Sequence, residues 1–300
     1  ECMGTSIPII INAAAGGGQA HAECERLVAI FDNAGVAAKV FAAASGGELI
    51  DTTQRLAADH PPIIVAGGGD GTLNAVASVL AGSNTALGVL PMGTLNHFAK
   101  DLGVPLELEA AARTIAAGHV KSVDVGEVNG RIFINNSSLG LYPQIVRHRE
   151  TQQRRLGRGK WPALMWASLS VLRRSPFMNV RLHVDDTAHQ YKTTFVFIGN
   201  NEYVMEGFNI GQRSRLDGGE LSVYVSHRRG RGGLITLALR ALFGRLQQAS
   251  DFQALTAQTL EVETRRSRLH VATDGEVSVM DTPLSYRIRP GALRVIVPAP

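Results

Sequence analysis

Residues 61–80 read PPIIVAGGGDGTLNAVASVL. An apolar, β-branched run of strand character is followed by glycines, an aspartate and a threonine, and then by apolar residues at helical period. Gly67, Gly68, Gly69 and Gly71 carry no Cβ, so the sequence predicts a sharp turn with positive φ whose N–H groups converge on an anion at the helix N-terminus. Asp70 is the odd member, because a carboxylate in an anion nest repels phosphate. It makes sense there chiefly if a divalent cation, most plausibly Mg²⁺, mediates between acid and phosphate. The expected ligand is a metal nucleotide. A Walker loop would need a lysine that is absent, and a dinucleotide fingerprint would need glycine where Thr72 stands. The alternative is a plain strand-to-helix turn, although such a turn rarely needs four glycines and an acid so close together.

The 300 residues, 45% of them apolar, can bury a large core, and the length points to about two domains. Charge is unevenly shared. Residues 1–150 carry 9 Lys/Arg against 14 Asp/Glu, whereas residues 151–300 carry 21 against 12. Acidic metal chemistry can therefore sit in one half while the other presents a basic surface to an anionic membrane or nucleic acid. Nucleic acid is disfavoured, since no recognition motif and no strand face of interleaved aromatics is visible. Two cysteines, Cys2 and Cys24, without metal-ligand spacing, give no disulfide framework or zinc site and imply a reducing compartment. No basic-then-apolar leader and no run of roughly 18 apolar residues is seen, so a soluble or peripheral cytoplasmic protein is expected.

Up to residue 125 strand and helix signals alternate. Strands are expected at 7–12, 38–43, 63–66 and 86–90, and helices at 21–34, 48–59, 72–80, 95–102 and 106–117. This is the grammar of a doubly wound α/β nucleotide-binding domain with a parallel sheet, whose ligands bind outside the carboxyl ends of the strands. From Val120 the pattern turns to strands: 120–128, 131–139, 179–186, 191–201, 219–226, 252–264, 268–279 and 292–298. An antiparallel, sandwich-like second domain over 126–284 is expected, with a first domain over 1–125 that residues 285–300 could join. Helical segments at 161–173 and 234–246 interrupt the strands, and 147–160 is a basic connector.

Four segments in order, 67–72 (GGGDGT), 91–99 (PMGTLNHFA), 122–126 (SVDVG) and 273–276 (TDGE), resemble the diacylglycerol kinase catalytic family, the soluble bacterial lipid kinases related to sphingosine and ceramide kinases. GGDG alone is shared with NAD kinases and phosphofructokinases; the second segment makes the match specific. The resemblance covers nearly the whole chain and implies ATP-dependent phosphoryl transfer to a lipid hydroxyl, with Mg²⁺, in which positioning and charge neutralisation matter more than covalent help. By that resemblance Gly68, Gly69, Asp70, Gly71, Thr72 and Asn74 hold the nucleotide phosphates, with Asn12, Thr94 and Asn96 beside them. Thr94 also suits the cap of the following helix. Glu276 is the implied base for the lipid hydroxyl, and Asp274 is placed in a water- and metal-linked acidic network with Asp70 and Asp124. The metal-facing acids are Asp70 and Asp217. From the residues alone, Asp274-Gly275 reads equally well as a hairpin turn.

The chain departs from the family at several points. His97 stands where an aspartate is common, and Asn12-Ala13-Ala14-Ala15-Gly16 lacks the usual hydroxyl after the first strand. Asp217-Gly218-Gly219 replaces an Asp-Asp-Gly linked to a structural Mg²⁺, and Met205-Glu206-Gly207 replaces a glycine-rich segment. Residues 161–172 (WPALMWASLSVL) beside the basic connector, and 228–231 before an apolar helix, suit the interface of anionic lipids, so peripheral association with the inner face of the cell membrane is expected. Packing of those helices on their own domain is the plainer reading. Diacylglycerol, phosphatidylglycerol, a sphingoid base and a polyprenol all present a suitable hydroxyl. An exposed sheet edge could pair two chains as a homodimer. Rival readings are a soluble NAD-kinase-like enzyme and a nucleotide or lipid sensor without catalysis.

Overall fold

The computed structural model describes residues 6–13, 20–140, 177–204, 212–226 and 252–299. The expected helices at 161–173 and 234–246, the connector 147–160 and the 205–207 segment lie outside the described residues. The chain divides into two units, Glu1–Val125 with Arg289–Pro300, and Gly126–Ile288. Among the described residues no helix is long and apolar enough to cross a membrane.

The first unit is an α/β fold. Strands β1 (Ile7–Asn12), β2 (Ala38–Ala43), β3 (Ile63–Gly68) and β4 (Ala86–Pro91) pair in parallel in the order β2-β1-β3-β4. The end of β18 (Leu284–Ile296) adds a further parallel strand through Val295 beside Leu87. Strands covered on both faces read as continuous apolar runs, and Ile9, Ile10, Ile64, Val65, Leu87 and Leu90 are all fully buried. Between them run α1 (Ala20–Asn33), α2 (Gly46–Ala58), α3 (Asp70–Leu80), α4 (His97–Asp101) and α5 (Leu108–Ala117). A capping-box exchange opens α2: Ser45 Oγ accepts the Glu48 N–H at 3.2 Å, and Glu48 accepts that of Ala44 at 2.7 Å. Chain order reverses between β1 and β3, and this switch point places Asn12 beside the glycine segment at the carboxyl ends of the strands.

The second unit contains two antiparallel sheets. One has the order β14-β13-β10-β7-β16-β17, built from β7 (Asn136–Gly140), β10 (Phe195–Asn200), β13 (Leu221–Ser226), β14 (Phe252–Ala257), β16 (Arg268–Thr273) and β17 (Glu276–Asp281). The other carries β8 (Met178–Val184), β9 (Thr187–Thr193), β15 (Thr259–Thr264) and the first part of β18. The end of β5 (Val120–Val128) pairs there with β6 (Arg131–Phe133). Alternate inward residues of both sheets, among them Leu139, Val196, Val223 and Val271 from one and Leu182, Leu260, Val262 and Leu284 from the other, form one core. A short ribbon, β11 (Tyr203–Val204) with β12 (Gln212–Arg213), stands apart. The expected α/β plus antiparallel sandwich-like class is thus what the chain adopts.

Element boundaries differ from expectation for local reasons. The strand expected over 131–139 breaks at residues 134 and 135, where three successive amides turn toward one carboxylate. That expected over 191–201 is two strands: Thr194 separates β9 from β10, and β9 itself begins at Thr187, after a turn at Asp185 with φ 48°. The run 252–264 divides at Gln258, so that its halves enter different sheets.

Packing leaves no room for a side chain at Gly126, which lies directly opposite Phe133 on β6; a Cβ there would overlap the aromatic ring. Gly126→Ala is expected to cost about 1–3 kcal/mol by overpacking. Urea unfolding checks this, and combining it with Phe133→Leu should give a loss smaller than the sum of the two singles.

Candidate functional site

The glycine segment leaves β3 in contact with the segment that leaves β4. Gly67 and Gly68 end the parallel ladder opposite Leu90 and Pro91. Gly69 and Gly93 then pass back to back, so close that a Cβ on Gly93 would collide with the Gly69 Cα. A Cβ on Gly67 would meet Ile11 Cγ2 and Met92 Sδ at 2.8 Å each, and one on Gly68 would meet Thr72 at 2.5 Å. The predicted positive φ is not found at Gly67, Gly68, Gly69 or Gly71. A side chain is barred at Gly93 by the Gly69 main chain and crowded at Gly67 and Gly68 by neighbouring side chains, and the dihedrals do not demand glycine at any of the three.

Asp70 begins α3, and its carboxylate reaches the neighbouring loop. Oδ2 accepts the His97 N–H at 3.2 Å and Oδ1 accepts the Phe98 N–H at 3.0 Å, so the acid caps the N-terminus of α4. The carboxylate satisfies two helix-end donors and favours the helix dipole, a structural role that the sequence reading did not foresee. Asn96 precedes α4 in the left-handed region with φ 50°, and its amide holds Gly93 at both ends, accepting from the Gly93 N–H at 3.0 Å and donating to the Gly93 carbonyl at 2.9 Å. Asn96, not the predicted Thr94, is therefore the capping position, and Thr94 is exposed. The helix expected from residue 95 starts at His97 for the same reason. Gly69, the cap position of α3, has no side-chain cap hydrogen bond. The α4 N-terminus is occupied by an internal carboxylate, whereas α3 opens on a glycine, which has no side chain with which to cap it.

The remaining predicted residues of this unit are dispersed around the crossing. Gly71, Thr72 and Asn74 lie in the first turns of α3, with Thr72 and Asn74 buried, and Asn12 ends β1. Asp124 is buried on β5, and its Oδ1 accepts the Gly291 N–H at 2.8 Å, pinning the bend of β18.

In the second unit, Asp274 and Glu276 share the β16–β17 hairpin. Asp274 and Gly275 form its two-residue loop with φ 48° and 87°, and Thr273 pairs with Glu276. Positive φ at both loop positions is what a type I′ turn requires. The hairpin reading is correct, and the acid is also engaged. Its carboxylate turns inward, Oδ2 accepting the Ile134 N–H at 2.7 Å and Oδ1 those of Asn135 and Asn136 at 2.8 and 2.9 Å. The main chain of Asp274 lies at the hairpin tip, so the residue is partly exposed although its carboxyl group is enclosed. Desolvation raises the pKa to about 6, against the opposing pull of the three N–H groups and the Arg213 charge. Glu276 is 60% exposed and accepts from Arg131 Nη2 at 2.7 Å.

Asp70, Asp124 and Asp274 each accept main-chain N–H groups inside their own unit. Asp217, the second expected metal acid, pairs with Arg215 Nε at 3.4 Å. At residue 218, where the resemblance leads one to expect a second acid, the chain has glycine, whose N–H donates to Asn201 Oδ1 at 2.7 Å. Among the described residues a set with ligand atoms within 4.8 Å of one another is His183, Glu261 and Glu263, which includes neither Asp70 nor Asp217; Arg181 lies 3.5 Å from Glu263.

Sequence reading missed Arg213, Asn135, Asn200 and Asn201, all buried in the second unit. The only local signal was a pair of asparagines inside each of two apolar runs, IFINNSS and VFIGNNE, since asparagine breaks strands and bonds to nearby main chain.

Residues 6–128 match the model of the diacylglycerol kinase catalytic domain, and residues 138–297 that of the YegS C-terminal NAD kinase beta sandwich-like domain. The chain is 32% identical over 240 residues to a Pseudomonas aeruginosa protein described as "Probable lipid kinase YegS-like", covering 79% of this chain and 76% of that one. It is 28% identical over 238 residues to a diacylglycerol kinase of Staphylococcus aureus, covering 77% and 75%. A crystal structure of a diacylglycerol kinase from Bacillus anthracis superposes with a TM-score of 0.71 at 24% identity, over 99% of this chain and 98% of that one. The chain belongs to the diacylglycerol kinase catalytic family of lipid kinases.

The raised Asp274 pKa has a sign that can be tested. A carboxyl group whose folded pKa exceeds its unfolded value contributes stability that is complete below the unfolded value, 3.8, and is lost as pH rises through about 6. The stability difference between wild type and Asp274→Asn should therefore move against wild type by at most about 3 kcal/mol between about pH 4 and pH 7.5. Urea unfolding of both proteins across that range measures it.

Proposed function

We propose that this chain transfers the γ-phosphate of ATP to the hydroxyl of a lipid at the surface of an anionic membrane. The observation that supports this most strongly is the start of α3: glycines packed closely against the next loop, with glycine at the cap position while the adjacent helix end is already filled by Asp70. Such an end favours an anion, and the phosphates of ATP are the anion the kinase family implies.

In this reading Gly68, Gly69, Gly71, Thr72 and Asn74 contact the phosphates, with Asn12, Thr94 and Asn96 around them. Mg²⁺ fits at Asp70, since a magnesium ion on a nucleotide needs only one or two protein carboxylates besides phosphate and water, and an ionised carboxylate has about four lone-pair sites with which to serve helix donors and a metal together. Bound there, it would neutralise charge that develops on the transferring group. Glu276 receives the proton of the lipid hydroxyl, and its pairing with Arg131 holds the carboxylate in one orientation until substrate arrives. Asp274 fixes the hairpin that carries Glu276, and Asp124 fixes β18. The match of residues 138–297 to an NAD kinase-like sandwich favours NAD as the alternative acceptor.

Transfer of labelled γ-phosphate from Mg-ATP to mixed micelles of diacylglycerol, phosphatidylglycerol, a sphingoid base or a polyprenol, with NAD in parallel, decides between these. Label is expected in a lipid. Glu276→Gln should lower kcat by about 10²–10⁴-fold, the usual worth of a general base, with KM for ATP nearly unchanged. Label in NAD alone overturns the lipid reading, and tight Mg-ATP binding without transfer points to a sensor.

A further inference from the structure

The two residues between β6 and β7 are gripped from opposite sides by opposite charges. Their N–H groups, with that of Asn136, point to the Asp274 carboxylate. Their oxygens point to Arg213. Nη1 of that guanidinium donates to the Ile134 carbonyl at 2.7 Å and to the Asn200 carbonyl at 3.2 Å, and Nη2 donates to Asn135 Oδ1 at 2.8 Å. The guanidinium carbon lies 5.4 Å from the centre of the Tyr203 ring. Asn200 completes the grip, its Nδ2 donating to the Ile134 carbonyl at 2.8 Å and its N–H to the Asn135 carbonyl at 2.9 Å.

Arg213 is 8% exposed. A charge so far from water persists only where its donors are matched. Three oxygens converge on it from two different strand connections, an arrangement that resembles the oxygen shell of a hard cation. Of the Asp-Asp-Gly that the resemblance links to a structural Mg²⁺, this chain keeps Asp217, which pairs with Arg215, and has glycine at 218. We infer that Arg213 is a positioning residue: its permanent charge fixes the 134–136 turn, and through it the Asp274–Glu276 hairpin, making this part of the protein independent of a metal ion. The inference rests on the proposed role of Glu276 only for its effect on catalysis. The geometric part stands without it, and the fact that the Arg213 charge opposes the rise in the Asp274 pKa agrees with it.

Two readouts separate these parts. Amide hydrogen exchange of residues 134–136 in full-length wild type, Arg213→Met and Arg213→Lys reports the turn, and kcat with KM for ATP in the transfer assay reports the hairpin. Arg213→Met should raise exchange at those amides at least tenfold and lower kcat by about 10²-fold with KM for ATP unchanged, the scale expected when a reacting group is displaced by about an ångström. Arg213→Lys, which keeps the charge and loses the fork, should lie between the two and serves if the methionine variant does not fold. In wild type without nucleotide, EDTA should leave exchange at 134–136 unchanged. Unchanged exchange in Arg213→Met, or loss of protection in wild type on chelation, overturns the inference. If wild type transfers no phosphate, the proposed function fails while the exchange data still decide the role of Arg213.

Discussion

Two main chains can pass in direct contact only where no side chain stands on the face between them, and the first unit is organised about one such place, where Gly93 lies against Gly69. Strands β3 and β4 run in parallel register to their ends, so the loops that follow emerge side by side and must either diverge or interlock. Gly69 and Gly93 let them interlock. The Asp70 carboxylate then ties the second loop to the first through the N–H groups of His97 and Phe98. Hydrogen bonds to a charged acceptor contribute about 1.5–3 kcal/mol each. Asn96 holds Gly93 at both ends. What remains is the start of α3, whose cap position is a glycine with no side chain to offer. In the proposed function, an anion site at this helix end is a by-product of how its neighbour was stabilised.

The second unit repeats the device. Asp274 and Arg213 direct their charges at the donors and acceptors of one short turn, where water could not serve them. Fixed dipoles arranged before substrate arrives need no reorganisation during reaction, which is the usual route by which a phosphoryl-transfer protein lowers its barrier. The exposed Arg131–Glu276 pair contrasts with this interior. At the surface such a pair contributes about 0–1 kcal/mol and can be exchanged for a substrate contact at small cost.

Much of this was legible in the sequence. Alternation of apolar runs and helical periods gave the α/β unit, and strand runs gave the sandwich, because both patterns follow from burial of one face or two. The glycine segment was recognised, but for a partly wrong reason, since sequence shows that a residue lacks a Cβ and not whether dihedral or crowding requires it. The capping role of Asp70 was hidden because its partners lie 27 and 28 residues away and are main-chain N–H groups, which leave no trace in side-chain identity. Arg213 was invisible for a related reason: a buried arginine and a surface one read alike until the oxygens around them are known. The hairpin at 274–275 was legible as Asp-Gly; its second role, capping the 134–136 turn, was not.

The central claim is that Asp70 couples the two loops into one phosphate-binding structure. Amide exchange at residues 70–73 and 97–98, with and without Mg-ATP, in wild type and Asp70→Asn, tests it most directly. The account predicts that Mg-ATP protects both segments in wild type, and that in the variant residues 97–98 exchange faster and no longer respond to nucleotide. Equal protection of residues 97–98 in the two proteins, or no response of residues 70–73 to Mg-ATP, would contradict it.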